Sequence, residues 1–421
     1  MADLSAAATI KKIIIVGTGP AGLILGLLLA KEGISVQVLD SANQIDNQPR
    51  ATHYSVPALK VLKKAGLYDD VREQGFTPDG GSWRKADGTP LCVMKTAHLP
   101  METRMACLPL NKLCKLAYEA IQKEPTVEIK WSHKVTGVSQ DKDKATVDVE
   151  TPSGPQKLEA DYVVGCDGAS SQIRRSLFGD MEFPGFTWDE QLVATNVYYD
   201  MSPFEWEDSN FVVDKKNWYM VSKIQPDGLY RVTYNDTPGL TRQEYIERQP
   251  MRFEEFLPGN PKPDQYKLVS IGPYKVHQRC ATSFRVGRCI LAADAAHLCN
   301  PFGGLGLTGG LADVGSLHEC LVGIHRGLAS DSILDKYSEI RREIYNNFID
   351  PISSSNIRRL WQDPDKALEE DKFLKLCRAA MTDPEVFKQL GLDVDFLSHD
   401  FTQYYTSSVV LEKGLGRTVA V

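Results

Sequence analysis

The chain has 421 residues, 42% of them hydrophobic and 24% charged, which is typical of a globular protein with enough core for two packed domains. A formal net charge of −7 without a block of basic residues argues against nucleic acid or an anionic membrane surface as a partner. The nine cysteines are scattered and form no C-x-x-C pair. This favours reduced thiols in a cytoplasmic protein over a disulfide framework or a metal site.

The first elements of the chain are predicted to form a β-α-β unit. Residues 1–11 have the pattern of a flexible leader, and 13–16 are β-branched, as in a buried parallel strand. A glycine-rich turn leads into a predicted helix at 23–31, and 35–40 supply a second strand. Residues 13–30 carry no charge over a length that could cross a bilayer. Because glycines and a proline divide that run, we expect no membrane span.

Beyond this unit, helical and strand patterns alternate before an antiparallel block begins. The predicted elements are helices at Val56–Ala65 and 108–121, then strands at 127–138, 145–149 and 157–164. From about residue 187 to 274, alternating aromatic and polar residues predict antiparallel hairpins. The strand-helix pattern resumes at 288–294 and continues into a long predicted helix over 305–326, and the residues after 330 are mostly helical.

The first motif that carries chemistry is the turn GTGPAG at positions 17–22. Gly17 permits the tight turn, Gly19 lets the backbone approach a pyrophosphate, and Gly22 lets helix and strand pack closely. Asp40 ends the second strand, where a carboxylate can accept bonds from a ribose diol. The predicted dinucleotide contacts are Gly17, Gly19, Pro20, Ala21, Gly22 and Asp40. This motif alone fits FAD and NAD equally well.

Two further motifs follow strands later in the chain. GCDGASSQIRR at 165–175 contains Asp167, although an Asp-Gly pair alone is often only a turn. In GRCILAADAAH at 287–297 the strand ends at Asp294, which is placed to bond a ribityl hydroxyl. The loop NPFGGLGL at 300–307 leads into a helix whose N–H groups and dipole can face the pyrimidine edge of a flavin. The predicted contacts in the third motif are Asp294, Pro301, Gly304, Gly306 and Leu307.

In this order and at these separations, the three motifs resemble those of the class A flavoprotein monooxygenases, typified by para-hydroxybenzoate hydroxylase and phenol hydroxylase. The resemblance covers about residues 12–330 and extends to QPRA at 48–51, which makes Arg50 a candidate FAD contact. It implies that Asp167 helps to hold FAD near the path of the nicotinamide. YKVHQR at 274–279 is similar to the phenol and hydroxyphenylpropionate hydroxylase branch. The departures are Ala293 where the family has glycine, and Leu110 and Leu305 where glutamines are common.

The resemblance implies an α/β fold in three parts. The expected parts are a Rossmann-like FAD-binding domain at 12–180 and 275–330, an inserted, mainly antiparallel β-sheet domain for the substrate at 181–274, and a helical C-terminal region at 331–421. A homodimer follows from family analogy only.

The resemblance also implies hydroxylation of a small aromatic substrate with O₂. NADPH or NADH reduces FAD, oxygen forms a flavin C4a-hydroperoxide, and an OH⁺ equivalent passes to an electron-rich ring carbon. The protein must orient the ring, favour the phenolate and exclude water. The substrate stays open at this point: a phenol, a hydroxybenzoate with or without loss of carbon dioxide, or a larger polyketide phenol.

The residues that act on the substrate are harder to assign. His53 is expected beside the flavin ring, with a purely structural histidine as the alternative. Tyr219 and Arg231, on the predicted hairpins, are candidates for the roof of the pocket, although aromatic residues on half-buried strands more often only pack. His297 is expected to support the loop of the third motif and not to act as a base.

Two other classes of protein remain as alternatives. One is a halogenase or reductase of the same fold, but such halogenases usually carry a W-x-W-x-I-P segment, which residues 204–206 do not match. The other is a non-catalytic relative that kept the nucleotide fold to bind a protein partner. The intact set of Asp40, Asp167 and Asp294 argues against it.

Overall fold

The computed structural model describes residues 10–48, 50, 52–392 and 395–406, so residues 1–9 of the predicted leader lie outside it. Ile10 is buried, and its carbonyl accepts a hydrogen bond from Nδ1 of His325 at 3.1 Å. The predicted end of the leader at residue 11 is therefore too late, because an apolar side chain at position 10 already packs into the core.

The helices and strands of the described residues alternate through the first third of the chain and separate into blocks after it. The helices are α1 Pro20–Lys31, α2 Val56–Ala65, α3 Tyr68–Gln74, α4 Leu110–Ile121, α5 Gln172–Phe178, α6 Arg242–Phe256, α7 Leu305–His325, α8 Ile333–Ile344, α9 Asp350–Leu360, α10 Ala367–Glu370, α11 Lys372–Ala380 and α12 Pro384–Leu392. The strands are β1 Lys12–Val16, β2 Ser35–Leu39, β3 His53–Tyr54, β4 Gly80–Lys85, β5 Pro90–Lys95, β6 Ala106–Cys107, β7 Val127–Lys130, β8 Lys134–Gln140, β9 Ala145–Thr151, β10 Gly154–Ala160, β11 Tyr162–Gly165, β12 Gly185–Tyr198, β13 Ser209–Val213, β14 Tyr219–Lys223, β15 Leu229–Asp236, β16 Lys267–Cys280, β17 Arg285–Val286, β18 Cys289–Leu291 and β19 His297–Leu298.

A six-stranded sheet in the order β17-β18-β11-β1-β2-β7 forms the centre of the first block. Every pair from β18 to β7 is parallel, and only the edge strand β17 runs antiparallel. Ile13, Ile14 and Ile15 of β1 have no exposed surface, as expected of a strand covered on both faces. The uncharged run at 13–30 is thus a core strand and a buried helix, and no described helix is long and apolar enough to cross a membrane.

Two strands predicted as continuous are divided between sheets. The predicted strand at 127–138 breaks at Ser132, whose φ is 56°, into β7 of the parallel sheet and β8 of a three-stranded antiparallel sheet. The predicted strand at 157–164 similarly divides at Asp161 into β10 and β11. Because the hydrophobic pattern continues across both breaks, it does not reveal where the chain changes sheets.

An eight-stranded sheet in the order β19-β16-β12-β15-β14-β13-β4-β5 forms the second block. It includes the predicted antiparallel hairpins, but also β4 and β5, which the predicted boundaries placed in the nucleotide-binding part. β4 joins through parallel pairing with β13, for example Phe211 with Trp83. The predicted boundary at 181 therefore misses this segment, because pairing between strands more than 100 residues apart leaves no local signal in the sequence.

The two faces of the large sheet pack against different parts of the molecule. One face, with Val193, Tyr219 and Tyr234, packs on Phe253 and Phe256 of α6. The other face, with Leu192, Met220 and Tyr274, packs with Phe302, Trp218 and α9. Phe302 belongs to the loop of the third motif, so this second face is turned toward the nucleotide-binding block.

The region after residue 330 is helical, as predicted, from α8 to α12. Ile357 and Leu360 of α9 pack with the large sheet, and Cys377 of α11 lies in a cluster with Cys92 of β5. Residues 407–421 of the predicted region lie outside the described residues.

Candidate flavin and substrate site

The three motifs converge because they follow neighbouring parallel strands. β18, β11, β1 and β2 lie side by side in the sheet, and their carboxyl ends share one edge. The first motif follows β1, the second follows β11, the third follows β18, and Asp40 follows β2 directly. This edge is where open α/β sheets bind their ligands.

The first motif forms a tight turn that only glycine can make at two of its positions. Gly17 has φ 108°, and a side chain there would overlap the carbonyl of Cys166 in the second motif. A side chain at Gly22 would overlap the Gly17 carbonyl, so the helix could not start so close to the strand. Gly19, in contrast, faces open space, and α1 begins at Pro20. The turn thus leaves the N-terminus of α1 accessible to a phosphate group.

Asp40 is half-buried beside this turn. Its Oδ2 accepts hydrogen bonds from the Thr18 backbone N–H at 2.7 Å and from the Thr18 hydroxyl at 2.6 Å. Its Oδ1 accepts from the Ala42 N–H at 2.8 Å. These bonds fix the carboxylate at the end of β2, and a contact between Asp40 and a ribose stays a prediction.

Asp167 stabilises the start of a helix, in addition to its predicted role in FAD binding. Its Oδ1 accepts from the Ser171 hydroxyl at 2.5 Å, and its Oδ2 accepts from the Gln172 N–H at 2.7 Å, at the start of α5. Burial raises the pKa of Asp167, and these hydrogen bonds oppose the rise. The carboxylate is therefore largely used to cap α5, and its predicted role in FAD binding stays a prediction.

Asp294 lines a cleft. Its side chain is open to solvent although protein atoms surround it, while Ala292, Ala295 and Ala296 beside it are buried. This enclosure raises the pKa of Asp294, and His297 and Arg50 lower it in part. Arg50 is itself exposed and forms an ion pair with Asp46 at 2.8 Å. An acceptor in a cleft of this kind suits a neutral hydroxyl-bearing chain such as ribityl.

The loop of the third motif ends in a helix start that points at the same cleft edge. Gly304 has φ 62°, caps α7 and faces open space. Leu307 follows in the first turn, and a side chain at Gly306 would begin 3.6 Å from Cys299 Sγ. The carbonyl of Pro301, the second residue of the loop, accepts a hydrogen bond from the Gly304 N–H at 3.2 Å. The loop therefore presents the N-terminus of a 21-residue helix with its backbone uncovered.

These features fit FAD. Two glycines face open space at two helix starts, one suited to the pyrophosphate and one to the pyrimidine edge of the flavin. Asp294 lies between them in sequence and lines the cleft. The residues that would hold the cofactor are those predicted from the three motifs, namely Gly17, Gly19, Pro20, Ala21, Gly22, Asp40, Arg50, Asp167, Asp294, Pro301, Gly304, Gly306 and Leu307.

Polar residues on the large sheet lie across from this cleft. Arg231 pairs directly with Asn196 in the sheet, and its Nε donates to Asn196 Oδ1 at 3.0 Å. Leu192 lies on the same strand and the same face as Asn196, four residues earlier, and it pairs directly with Tyr274 of β16. Arg50 is close enough that its charge acts on both Asp294 and Arg231. This face of the sheet and Asp294 therefore lie near one another.

His53 and Tyr274 are both partly exposed and lie near Arg231, whose charge acts on each of them, and we call the space that these three residues border the chamber. Nδ1 of His53 lies 2.8 Å from the Thr52 hydroxyl, and its Nε2 is buried without a partner among the described residues. Burial, and then the charge of Arg231, lower the pKa of His53 to about 4. The imidazole is therefore neutral at physiological pH.

Tyr219 does not belong to this chamber. It has no exposed surface, its hydroxyl donates to the Phe256 carbonyl at 3.0 Å, and it packs on α6. Because side chains alternate between the faces of a strand, Tyr219 faces away from Arg231 and Tyr274. Its assignment to the pocket roof was wrong, since the sequence does not say which face of a two-sided sheet meets the flavin.

Tyr274 and Asn196 are residues of the chamber that sequence reasoning missed. The hydroxyl of Tyr274 makes no hydrogen bond to a described residue, and the charge of Arg231 acts on it. Both residues lie on strands adjacent to each other, on the same face as Arg231. The period-two pattern could have placed them together only if the strand register had been known. His297 is 2% exposed and bonds Asp313, and its structural role stays a prediction.

Known proteins resemble the chain over nearly its whole length. A family model described as an FAD binding domain matches residues 11–351. Para-nitrophenol 4-monooxygenase of Pseudomonas sp. strain WBC-3 is 37% identical over 394 residues, which are 93% of this chain and 96% of that protein. The 6-hydroxy-3-succinoylpyridine 3-monooxygenase of Pseudomonas putida strain S16 is 33% identical over 357 residues, covering 83% and 89%. The crystal structure of p-nitrophenol 4-monooxygenase from Pseudomonas putida DLL-E4 has a TM-score of 0.87 and 38% identity, covering 92% and 98%.

The chain belongs to the FAD-dependent aromatic monooxygenases, the class A flavoprotein family that its three motifs resemble. It is an oxidoreductase with FAD as its cofactor, and reduced nicotinamide is the typical co-substrate of the family. The monooxygenase relatives displace the halogenase and the non-catalytic alternatives.

Proposed function

We propose that the chain oxygenates a phenol at the ring carbon para to its hydroxyl and displaces an electron-withdrawing group, such as nitro, from that carbon. The names of two relatives support this regiochemistry. One acts at position 4 of para-nitrophenol, and the other at position 3 of a 6-hydroxypyridine that carries a succinoyl group there. In both names the reacting carbon bears the substituent and lies para to the hydroxyl.

The chamber supplies groups suited to the phenol oxygen. Arg231 brings a positive charge that favours the phenolate over the phenol. Tyr274, whose hydroxyl has no described partner, can donate a hydrogen bond to the same oxygen. His53 is neutral, so as the tautomer that carries its proton on Nε2 it can donate a hydrogen bond from Nε2 to the phenolate.

Apolar groups complete the chamber. Leu192, Met220 and Phe302 lie on the side where the sheet meets the flavin loop. Bound FAD, once reduced by the nicotinamide, supplies an activated oxygen atom. Around it, these side chains keep water from the reacting carbon and hold the ring flat between sheet and cofactor. Arg231 increases the electron density on the ring by stabilising the phenolate.

The proposed reaction balances with one nicotinamide and one oxygen molecule. para-Nitrophenol, O₂, NAD(P)H and a proton give benzoquinone, nitrous acid, water and NAD(P)⁺. A C–O bond forms at the substituted carbon, and the C–N bond breaks with its electron pair leaving on nitrite. The phenol oxygen becomes a carbonyl of the quinone. Stabilising the phenolate therefore helps to expel nitrite.

The single observation that carries the proposal is that Arg231, Tyr274 and His53 lie close together on the side where the sheet face meets the loop of the third motif. The test is turnover of para-nitrophenol by FAD-loaded protein with NAD(P)H and ¹⁸O₂. We expect equimolar nitrite, with one ¹⁸O atom in the quinone or the hydroquinone formed from it. meta-Nitrophenol is the matched control, and it should release no nitrite.

Two results would contradict the proposal in different ways. A hydroxylated product that keeps its nitro group would mean attack at an unsubstituted carbon. Hydrogen peroxide alone, with every phenol tested, would mean that the chamber does not hold a phenol next to the flavin.

A further inference from the structure

A chain of buried charges connects the C-terminal region to the flavin site. Asp313 of α7 has no exposed surface, and its two oxygens have different partners. Oδ1 accepts from Arg341 Nε of α8 at 2.6 Å. Oδ2 accepts from His297 Nε2 at 2.8 Å and from the backbone N–H of Ala293 at 3.0 Å. Ala293 immediately precedes Asp294.

Ala293 has an unfavourable backbone conformation. Its φ is 56°, in the left-handed region that suits glycine and is unfavourable for residues with a Cβ. Its Cβ is accommodated because α7 has glycine opposite, where a Cβ on Gly310 would lie 2.7 Å away. The hydrogen bond from the Ala293 N–H to Asp313 stabilises this conformation.

The rest of the network holds Asp313 itself. Arg341 also donates to the Leu397 carbonyl at 2.6 Å and to the Gly309 carbonyl at 3.3 Å, so its own position is fixed from three sides. Burial alone would raise the pKa of Asp313, but His297 and Arg341 outweigh it and lower the pKa. The carboxylate is therefore ionised and accepts all three bonds at once.

We propose that Arg341, Asp313 and His297 are positioning residues that lock Ala293 in its left-handed conformation and thereby aim Asp294 into the flavin cleft. None of the three lines the cleft. They act through the backbone, and Arg341 brings residues beyond 330 into the construction of the cofactor site. The inference rests on Asp294 being a flavin contact, which belongs to the predicted site.

The test compares FAD affinity with folding stability. Asp313→Asn keeps the size of the side chain but turns one acceptor into a donor that faces an existing donor. We expect the Kd for FAD, measured by flavin fluorescence on reconstitution of the apoprotein, to rise about tenfold. Asp236→Asn is the matched control, because Asp236 is also buried and accepts from a backbone N–H (Thr237, 2.7 Å) and an arginine (Arg248, 2.9 Å), but in the substrate sheet. It should lower the Tm of the apoprotein without changing the Kd.

Rescue by glycine separates positioning from general destabilisation. Ala293→Gly removes the strain. The double variant Asp313→Asn with Ala293→Gly should therefore bind FAD with a Kd at least threefold lower than that of Asp313→Asn. If the double variant binds FAD no better than Asp313→Asn, or if Asp236→Asn weakens FAD equally, the positioning role is wrong.

Asp294→Ala distinguishes failure of this inference from failure of its premise. If Asp294→Ala binds FAD normally, Asp294 is not a flavin contact and the premise fails. If Asp294→Ala loses FAD while Asp313→Asn keeps normal affinity, the premise stands and the inference alone is overturned.

Discussion

The edge of the parallel sheet that we propose holds the flavin and the face of the large sheet that we propose binds the substrate are built differently. At the flavin edge, each functional group follows directly from a strand end, a glycine turn or a helix start. On the sheet face, Arg231, Asn196 and Tyr274 come together only through pairing of distant strands. Backbone conformation thus defines the cofactor side, whereas register defines the substrate side. Substitutions should separate the two.

The largest effect is expected at the flavin edge. Asp294→Ala should lose FAD on purification and abolish turnover, because an acceptor enclosed in the cleft has no replacement. Circular dichroism should be unchanged. Asp227→Ala, on an exposed hairpin of the large sheet, is the control and should stay yellow. An Asp294→Ala protein with full FAD content and normal rate would contradict the assignment.

The next effect is expected at the centre of the sheet face. Arg231→Met should keep FAD bound but lower kcat/KM for para-nitrophenol roughly a hundredfold, since it removes a charged partner of the phenolate. Arg231→Lys should recover only part of this loss, because an ammonium cannot reproduce the guanidinium geometry held by Asn196. Equal losses in FAD content and in kcat/KM would mean that Arg231 contributes to cofactor binding as much as to substrate binding, against the proposed division.

His53 offers a smaller and more specific effect. His53→Phe should lower kcat/KM about tenfold and increase the peroxide released per nicotinamide oxidised, whereas His53→Gln, which keeps a hydrogen-bonding group, should lose less. Hydrogen peroxide and nitrite assays on the same samples measure both. Unchanged coupling in His53→Phe would support the alternative of a structural histidine.

The lowered pKa of His53 also predicts a dependence of stability on pH. Its pKa of about 4 in the fold lies below the ordinary value of 6.5. As pH falls from 6.5 to about 4, His53 takes up a proton in the unfolded chain but not in the folded chain, so the free energy of unfolding falls. Urea unfolding of His53→Gln should be less sensitive to pH between 6.5 and about 4 than that of the parent protein.

The smallest effects come from a matched pair of tyrosines on opposite faces of the large sheet. Tyr219→Phe loses a buried bond to the Phe256 carbonyl and should lower the free energy of unfolding by about 1 kcal/mol with unchanged kinetics. Tyr274→Phe should leave stability unchanged and lower kcat/KM about threefold, as it loses a donor to the substrate. The opposite pattern would assign the wrong face to the chamber.

The same contrast explains what could be predicted from the sequence. Gly17, Gly22 and Asp294 are visible because local backbone geometry demands glycine or ends a strand at that point. β4 and β5 and the partner of Arg231 were not visible, because their positions depend on pairing across more than 30 residues. Tyr219 was misassigned for the same reason, since the residue type fits either face of the sheet.

The most direct test of the account is the pKa of para-nitrophenol bound to the FAD-loaded protein, read from the visible absorbance of its phenolate against a protein blank. If Arg231 holds the phenolate beside the flavin, binding should lower this pKa below its value in free solution, and Arg231→Met should abolish the shift. A bound phenol that titrates as it does in water, or a shift that survives in Arg231→Met, would contradict it.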